Sequence, residues 1–185
     1  MYDQQGSRKY INSAERRAFL RAANQEPDAS RRAFLLTLFY AGCRISEGLN
    51  VTIERVDLAN KAIVFETLKR RKRGHFRSVP IPDSLVESLR WFVTGSNPAA
   101  RVWPFSRSTA YRLVKDCMAR AGVGGTASSP KGLRHGFAVA CLAHKIVLPT
   151  VQKWLGHARM ETTAIYLEVS DSEERELAKR LWTGD

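Results

Sequence analysis

With 185 residues the chain can bury one good core but is too short for two full domains. A hydrophobic share of 44% excludes a disordered chain, and no apolar run approaches the roughly 20 residues needed to span a bilayer. The formal net charge of +12 calls for an anionic partner, and nucleic acid leads over a membrane surface because the basic residues are spread along the chain and not gathered on one amphipathic helix. No export signal marks the N-terminus, which places the chain in the cytoplasm. Cys43, Cys117 and Cys141 are odd in number, far apart and without metal-ligand spacing, so they read as buried free thiols.

In chain order, residues 1–11 are polar and read as a loose arm. Asn12 with Glu15 three positions later starts a helix to about Ala23, and Asp28 or Ser30 opens the next. The run from Ala33 to Tyr40 is apolar on nearly every face, which suits a central core helix, and Gly42 ends it. A short helix follows from Ser46 to Leu49. Two β-rich stretches, Ala62 to Thr67 and Phe76 to Ile81, flank the sequence Lys69-Arg70-Arg71-Lys72-Arg73-Gly74 and predict a hairpin with a cationic tip. Asp83 caps a helix to about Phe92, and Ser106 or Ser108 begins another to about Ala121. Pro130 at a first-turn position starts a helix through Ala143, followed by helices from Pro149 to Leu155, Glu161 to about Leu167 and Ser172 to Trp182. The fold class is mainly α with a small antiparallel β-sheet.

For a nucleic-acid partner, cleaving a phosphodiester without a metal requires a nucleophile, cationic donors for the non-bridging oxygens and an acid for the departing oxygen. His75, His135, His144 and His157 lack the spacing of a ligand pair, and no Asp/Glu cluster suggests a two-metal site. The chemistry therefore falls to Arg, Lys, His and Tyr, with no metal and no cofactor.

Four short motifs stand in order: Gly42-Cys43-Arg44-Ile45-Ser46-Glu47, Lys131-Gly132-Leu133-Arg134-His135, Leu155-Gly156-His157 and Thr162-Thr163-Ala164-Ile165-Tyr166. His157 precedes Tyr166 by nine residues, and about two dozen separate Arg134 from His157. Together they resemble the tyrosine recombinase, or phage integrase, family, and the resemblance covers nearly the whole chain. It implies the catalytic-domain fold of that family, with Tyr166 as nucleophile and Arg44 and Arg134 as a guanidinium pair that grips the scissile phosphate. Glu47, one turn after Arg44, orients that arginine. His157 is implied as a donor to the phosphate and a help in taking the tyrosine proton. Lys131 stands where many relatives have histidine; it can donate to a phosphate oxygen but cannot relay a proton through two ring nitrogens. His135 reads as a structural helix residue. Ile165 and Leu167 are expected to bury, leaving the Tyr166 phenol facing the site.

The same resemblance puts the general acid on the hairpin: Lys69 fits best, with Lys72 as the alternative, and Arg70, Arg71, Lys72 and Arg73 become DNA contacts. The implied activity is cutting and rejoining of double-stranded DNA through a 3′-phosphotyrosyl ester, with integration, excision or inversion as the outcome and no need of ATP or a divalent ion. A topoisomerase of type IB and a non-cleaving DNA-binding accessory protein are the competing readings. The resemblance further implies a homotetramer on DNA and a monomer in solution, with residues 170–185 as a helix that docks on a neighbouring protomer. Residues 1–185 read as one catalytic domain without an N-terminal core-binding domain, either a fragment excised from a longer protein or a chain like the small stand-alone fimbrial phase-variation recombinases.

Overall fold

A computed structural model describes residues 2–67 and 74–167. Lys69, Arg70, Arg71, Lys72 and Arg73 of the cationic tip, and the final helix expected from Ser172 to Trp182, lie outside these described residues.

Local chemistry sets where each helix begins. The Asn12 side chain accepts from the Glu15 amide at 2.9 Å, while Glu15 accepts from the Asn12 amide at 2.7 Å, so both orphan donors are satisfied and α1 (Ser13–Asn24) starts there. Asp28 caps α2 (Ala29–Ala41) by accepting from the Arg31 amide. From Ala33 to Phe39 every residue of α2 is buried, and Gly42 closes the helix in the left-handed region at φ 57°. Arg44 stands at the start of the short α3 (Ile45–Leu49).

The hairpin forms as the sequence predicts. Strand β2 (Ala62–Glu66) pairs antiparallel with β3 (Phe76–Pro80), placing Ile63 opposite Val79 and Phe65 opposite Arg77. A two-residue strand, β1 (Val56–Asp57), adds to the outer side of β2 and is too short to leave an alternating pattern in the sequence. Helix α4 (Asp83–Val93) follows with Pro82 at the cap position and Asp83 already inside its first turn, one residue later than the sequence suggests. Ser106, not Ser108, caps α5 (Arg107–Arg120).

Helix α6 (Pro130–Ala143) runs between two hydrophobic clusters. The larger is centred on α2, where Phe34 meets the fully buried Trp103 edge to face with centroids 5.3 Å apart. The smaller joins Phe137, Ala138 and Cys141 of α6 to Val151 and Leu155 of α7 (Leu148–Leu155) and to Tyr166, just past α8 (Glu161–Ala164).

The expected loose arm is tied down at its end. Tyr10 and Ile11 are buried, the Ile11 amide donates to the Gly132 carbonyl, and a Cβ at Gly136 would come within 2.7 Å of the Ile11 carbonyl. Reading residues 1–11 as polar throughout passes over these two apolar side chains at the end of the segment. All three thiols are buried, and burial pushes them up to about 12 for Cys43 and about 11 for Cys117 and Cys141, which leaves them protonated and unreactive. No helix among the described residues is long and apolar enough to cross a membrane.

Gly42 shows how tightly α2, α6 and the turn between them fit. A Cβ there would sit 2.2 Å from the Phe137 ring, on a backbone that L side chains rarely adopt. Gly42→Ala is expected to cost about 2–4 kcal/mol from strain and overpacking together, read as a lower urea midpoint at unchanged slope.

Candidate active site

Strand β3 alternates faces, so Arg77 points inward with Val79 and Ile81 while Phe76 stays 53% exposed. A buried guanidinium must use its donors, and Arg77 spends them on three different elements. Its Nη2 donates to Glu47 Oε2 at 2.6 Å, its Nη1 to Thr67 Oγ1 at 3.0 Å and its Nε to the Trp154 carbonyl at 2.7 Å. One side chain thus ties the hairpin base to α3 and to the end of α7.

Glu47, with no exposed side-chain surface, is the common partner of the site's cations. Besides Arg77 it binds Arg44, through Nη1 at 2.7 Å and the backbone amide at 2.9 Å, and it lies 3.8 Å from Arg134 Nη1. Burial alone would push this carboxyl up, but Arg77 and then Arg44 outweigh it and hold it below its usual range. Arg134 also donates to the Gly42 carbonyl at 2.9 Å and the Leu155 carbonyl at 2.7 Å, anchoring α6 to the end of α2 and the end of α7. Burial and the neighbouring Arg44 lower Arg134 to about 10, so it remains a cation at neutral pH.

Helix α7 ends at Gly156 in the left-handed region, φ 67°, and a Cβ there would meet Arg77 Nη1 at 2.8 Å. Glycine lets Arg77 run beneath the turn that presents His157. The His157 Nδ1 is 2.9 Å from the buried Thr163 hydroxyl, leaving Nε2 for another partner. Burial first, then Arg134 and Arg44, depress His157 to about 3, so it is neutral. Its ring lies nearly parallel to that of Tyr166 at 6.4 Å.

Tyr166 departs from expectation. Ile165 and Leu167, expected to bury, are 38% and 53% exposed, whereas Tyr166 is 1% exposed. Helix α8 is a single turn, and three-residue spacing puts Tyr166 on the inward side with the fully buried Thr163. The phenol oxygen is 2.7 Å from Nδ1 of His135, the residue read from sequence as purely structural. Burial raises the phenol, opposed by Arg134 and Arg44, whose charges reach it.

The structure therefore brings Arg44, Glu47, Arg134, His157 and Tyr166 together. Lys131 is exposed in the first turn of α6 and acts on this group through its charge on His135. Lys69 and the tip cations Arg70, Arg71, Lys72 and Arg73 lie outside the described residues. Beside the site, Thr67, His75, Arg77, Gln152, Lys153 and His157 line an open cleft. Arg77, His135 and Thr163 are what sequence reasoning missed. For Arg77 the signal was present: a charge in phase with the inward residues of a strand.

A family model described as the phage integrase family matches residues 9–173. A tyrosine recombinase from Thermosipho africanus is 29% identical over 177 residues, covering 93% of this chain and 61% of its own length. The tyrosine recombinase XerD of Brucella abortus is 36% identical over 152 residues, 74% of this chain and 47% of the relative. The chain thus spans about half to three fifths of the length of these curated relatives. Among solved structures, the XerH site-specific recombinase bound to palindromic difH substrate, in a post-cleavage complex, superposes with a TM-score of 0.79 at 22% identity, over 98% of this chain and 56% of that one.

Arg77→Met should destabilise the chain by about 3 kcal/mol, because it leaves Glu47 buried with one strong partner fewer; Arg44→Met, at a side chain 25% exposed, should cost much less. Urea unfolding of the two variants makes the comparison. Acid should also destabilise the fold. His135 and His157 stay neutral down to about pH 4 and about pH 3 when folded, against 6.5 when unfolded, so the unfolded chain binds more protons in between and stability falls as pH drops from 6.5 towards 4. His157→Asn should flatten that slope in urea midpoints measured against pH.

Proposed function

The chain belongs to the phage integrase family, and from that footing we propose that it is the catalytic domain of a site-specific recombinase that cuts and rejoins double-stranded DNA through a 3′-phosphotyrosyl ester. The observation that carries this is the sharing of one buried carboxylate, Glu47, by Arg44 and Arg134, with His157 and Tyr166 stacked beside them. Two arginines held in this way present planar donors at fixed positions, which suits a phosphate whose charge grows in the transition state. A DNA-bound post-cleavage complex of the similarly folded XerH supports DNA as the partner.

In this mechanism the scissile phosphate sits against Arg44, Arg134 and Nε2 of His157. Thr163, by donating to His157 Nδ1, keeps the proton on Nε2, where it points to the phosphate. The Tyr166 oxygen attacks phosphorus in line, and Lys69, or Lys72 as the alternative, protonates the leaving 5′-oxygen. Attack by a different 5′-hydroxyl reverses the step and completes strand exchange. The phosphodiester energy is kept in the ester, so neither ATP nor a divalent ion is needed. The structure holds the phenol inward beside Arg44 and Arg134, whose charges reach it, and the phosphate they grip is brought to that oxygen. Arg70, Arg71, Lys72 and Arg73 hold the DNA backbone, and Lys131 contributes charge near it. The assembly on DNA is a homotetramer, with residues 170–185 exchanged between protomers.

Nicked duplexes selected from a randomised pool by capture of denaturant-stable protein–DNA adducts provide the assay. Wild-type chain should form the adduct unchanged in excess chelator, and Tyr166→Phe should bind the same duplexes without forming it. An adduct in the Phe variant, or strict dependence on added metal, would overturn the assignment. Arg44→Ala and Arg134→Ala should each slow adduct formation by about a hundredfold or more.

A further inference from the structure

The nucleophile must lose a proton, and the described residues offer one acceptor already in contact with it. Resting on the recombinase reading above, we propose that His135 is a further catalytic residue: its Nδ1 takes the Tyr166 phenolic proton as the phosphotyrosyl bond forms and returns it during ligation. Three observations lead there.

The first is geometry. His135 Nδ1 and Tyr166 Oη are 2.7 Å apart, a hydrogen-bond length, in a partly buried contact whose rings are 5.6 Å apart. The second is elimination within the site. His157 has its Nδ1 engaged by Thr163, and in the mechanism above its Nε2 carries a proton to the phosphate, so it is left no acceptor for the phenol. Lys131 is a cation with donors only. The third is charge state. His135 faces Lys131 and Arg134 on its own helix, Lys9 from the N-terminal segment, and Tyr166 and His157 across the site; burial first and then these cations lower it to about 4, so at neutral pH it is an uncharged imidazole able to accept.

A phenol raised above its usual range keeps its proton until the reaction itself makes the oxygen acidic. The step then balances as follows. The Oη–P bond forms while the Oη–H proton passes to Nδ1; the P–O5′ bond breaks, and its electron pair leaves on the 5′-oxygen, which the hairpin lysine protonates. In ligation a 5′-hydroxyl attacks and gives its proton to the hairpin lysine as the P–O5′ bond forms; the Oη–P bond breaks and the imidazolium hands its proton back to the phenolate. Arg134 and His135 are consecutive on α6, so the group that holds the phosphate and the group that takes the proton move as one rigid piece.

The 185-residue chain on the selected nicked duplexes tests this in single-turnover adduct formation. Asn at this position can offer its side-chain oxygen to the phenol as a hydrogen-bond acceptor but cannot accept a proton. His135→Asn and His135→Ala should both bind DNA and unfold in urea near the wild-type midpoint, yet form adduct at least about a hundredfold more slowly. A 5′-bridging phosphorothiolate, whose leaving group needs no acid, should leave that defect in place while relieving the one caused by Lys69→Ala. Wild-type rates in the Asn variant would reduce His135 to a hydrogen-bonding prop, and wild-type or faster rates in the Ala variant would remove it from the chemistry; either overturns the proposal. Independently of any variant, the ¹⁵N shifts of His135 in the wild-type chain should show a neutral ring protonated at Nε2, and an Nδ1-protonated ring would also overturn it. Failure of the wild-type chain to form any adduct would instead bring down the recombinase reading, and this inference with it.

Discussion

A carboxylate with no exposed side-chain surface organises this molecule. Glu47 sits where α3 meets the hairpin and α6, and three arginines from three elements converge on it. A lone buried carboxylate would cost several kcal/mol, and three clustered guanidinium groups would repel one another; each problem cancels the other. The result is a charged core that remains net cationic towards solvent through the quarter-exposed Arg44. Repulsion kept in check in this way suits the site to the phosphate proposed for it.

Much of the fold was legible because its signals are local. Asn12 with Glu15, Asp28, Ser106 and Pro130 are side chains that satisfy or lack a backbone donor, and they mark helix starts without help from the rest of the chain. Alternation in β3 was equally plain, and it carried the clue to Arg77 that polarity alone concealed. Strand β1 was not legible, because two residues cannot show a period. Neither was the burial of Tyr10 and Ile11, which depends on a contact with Gly132 and Gly136 more than a hundred residues away.

The site divides in the same way. Four motifs located Arg44, Arg134, His157 and Tyr166, and the structure gathers them. Orientation is a different matter, since it depends on which side of α8 packs against α6 and α7. Three-residue spacing sets Tyr166 on the same side as the buried Thr163, and the packing of α8 turns that side towards His135. Spacing located the tyrosine, and only the packing of α6, α7 and α8 decided which way it faces.

The base of the hairpin is held twice over, by the Thr67 amide donating to the His75 carbonyl and by Arg77 reaching across to α3 and α7. Both ties are made by the strand ends themselves, on either side of the segment 68–74 that joins the two arms. The strands therefore carry their own anchorage to α3 and α7, whatever the segment between them contributes.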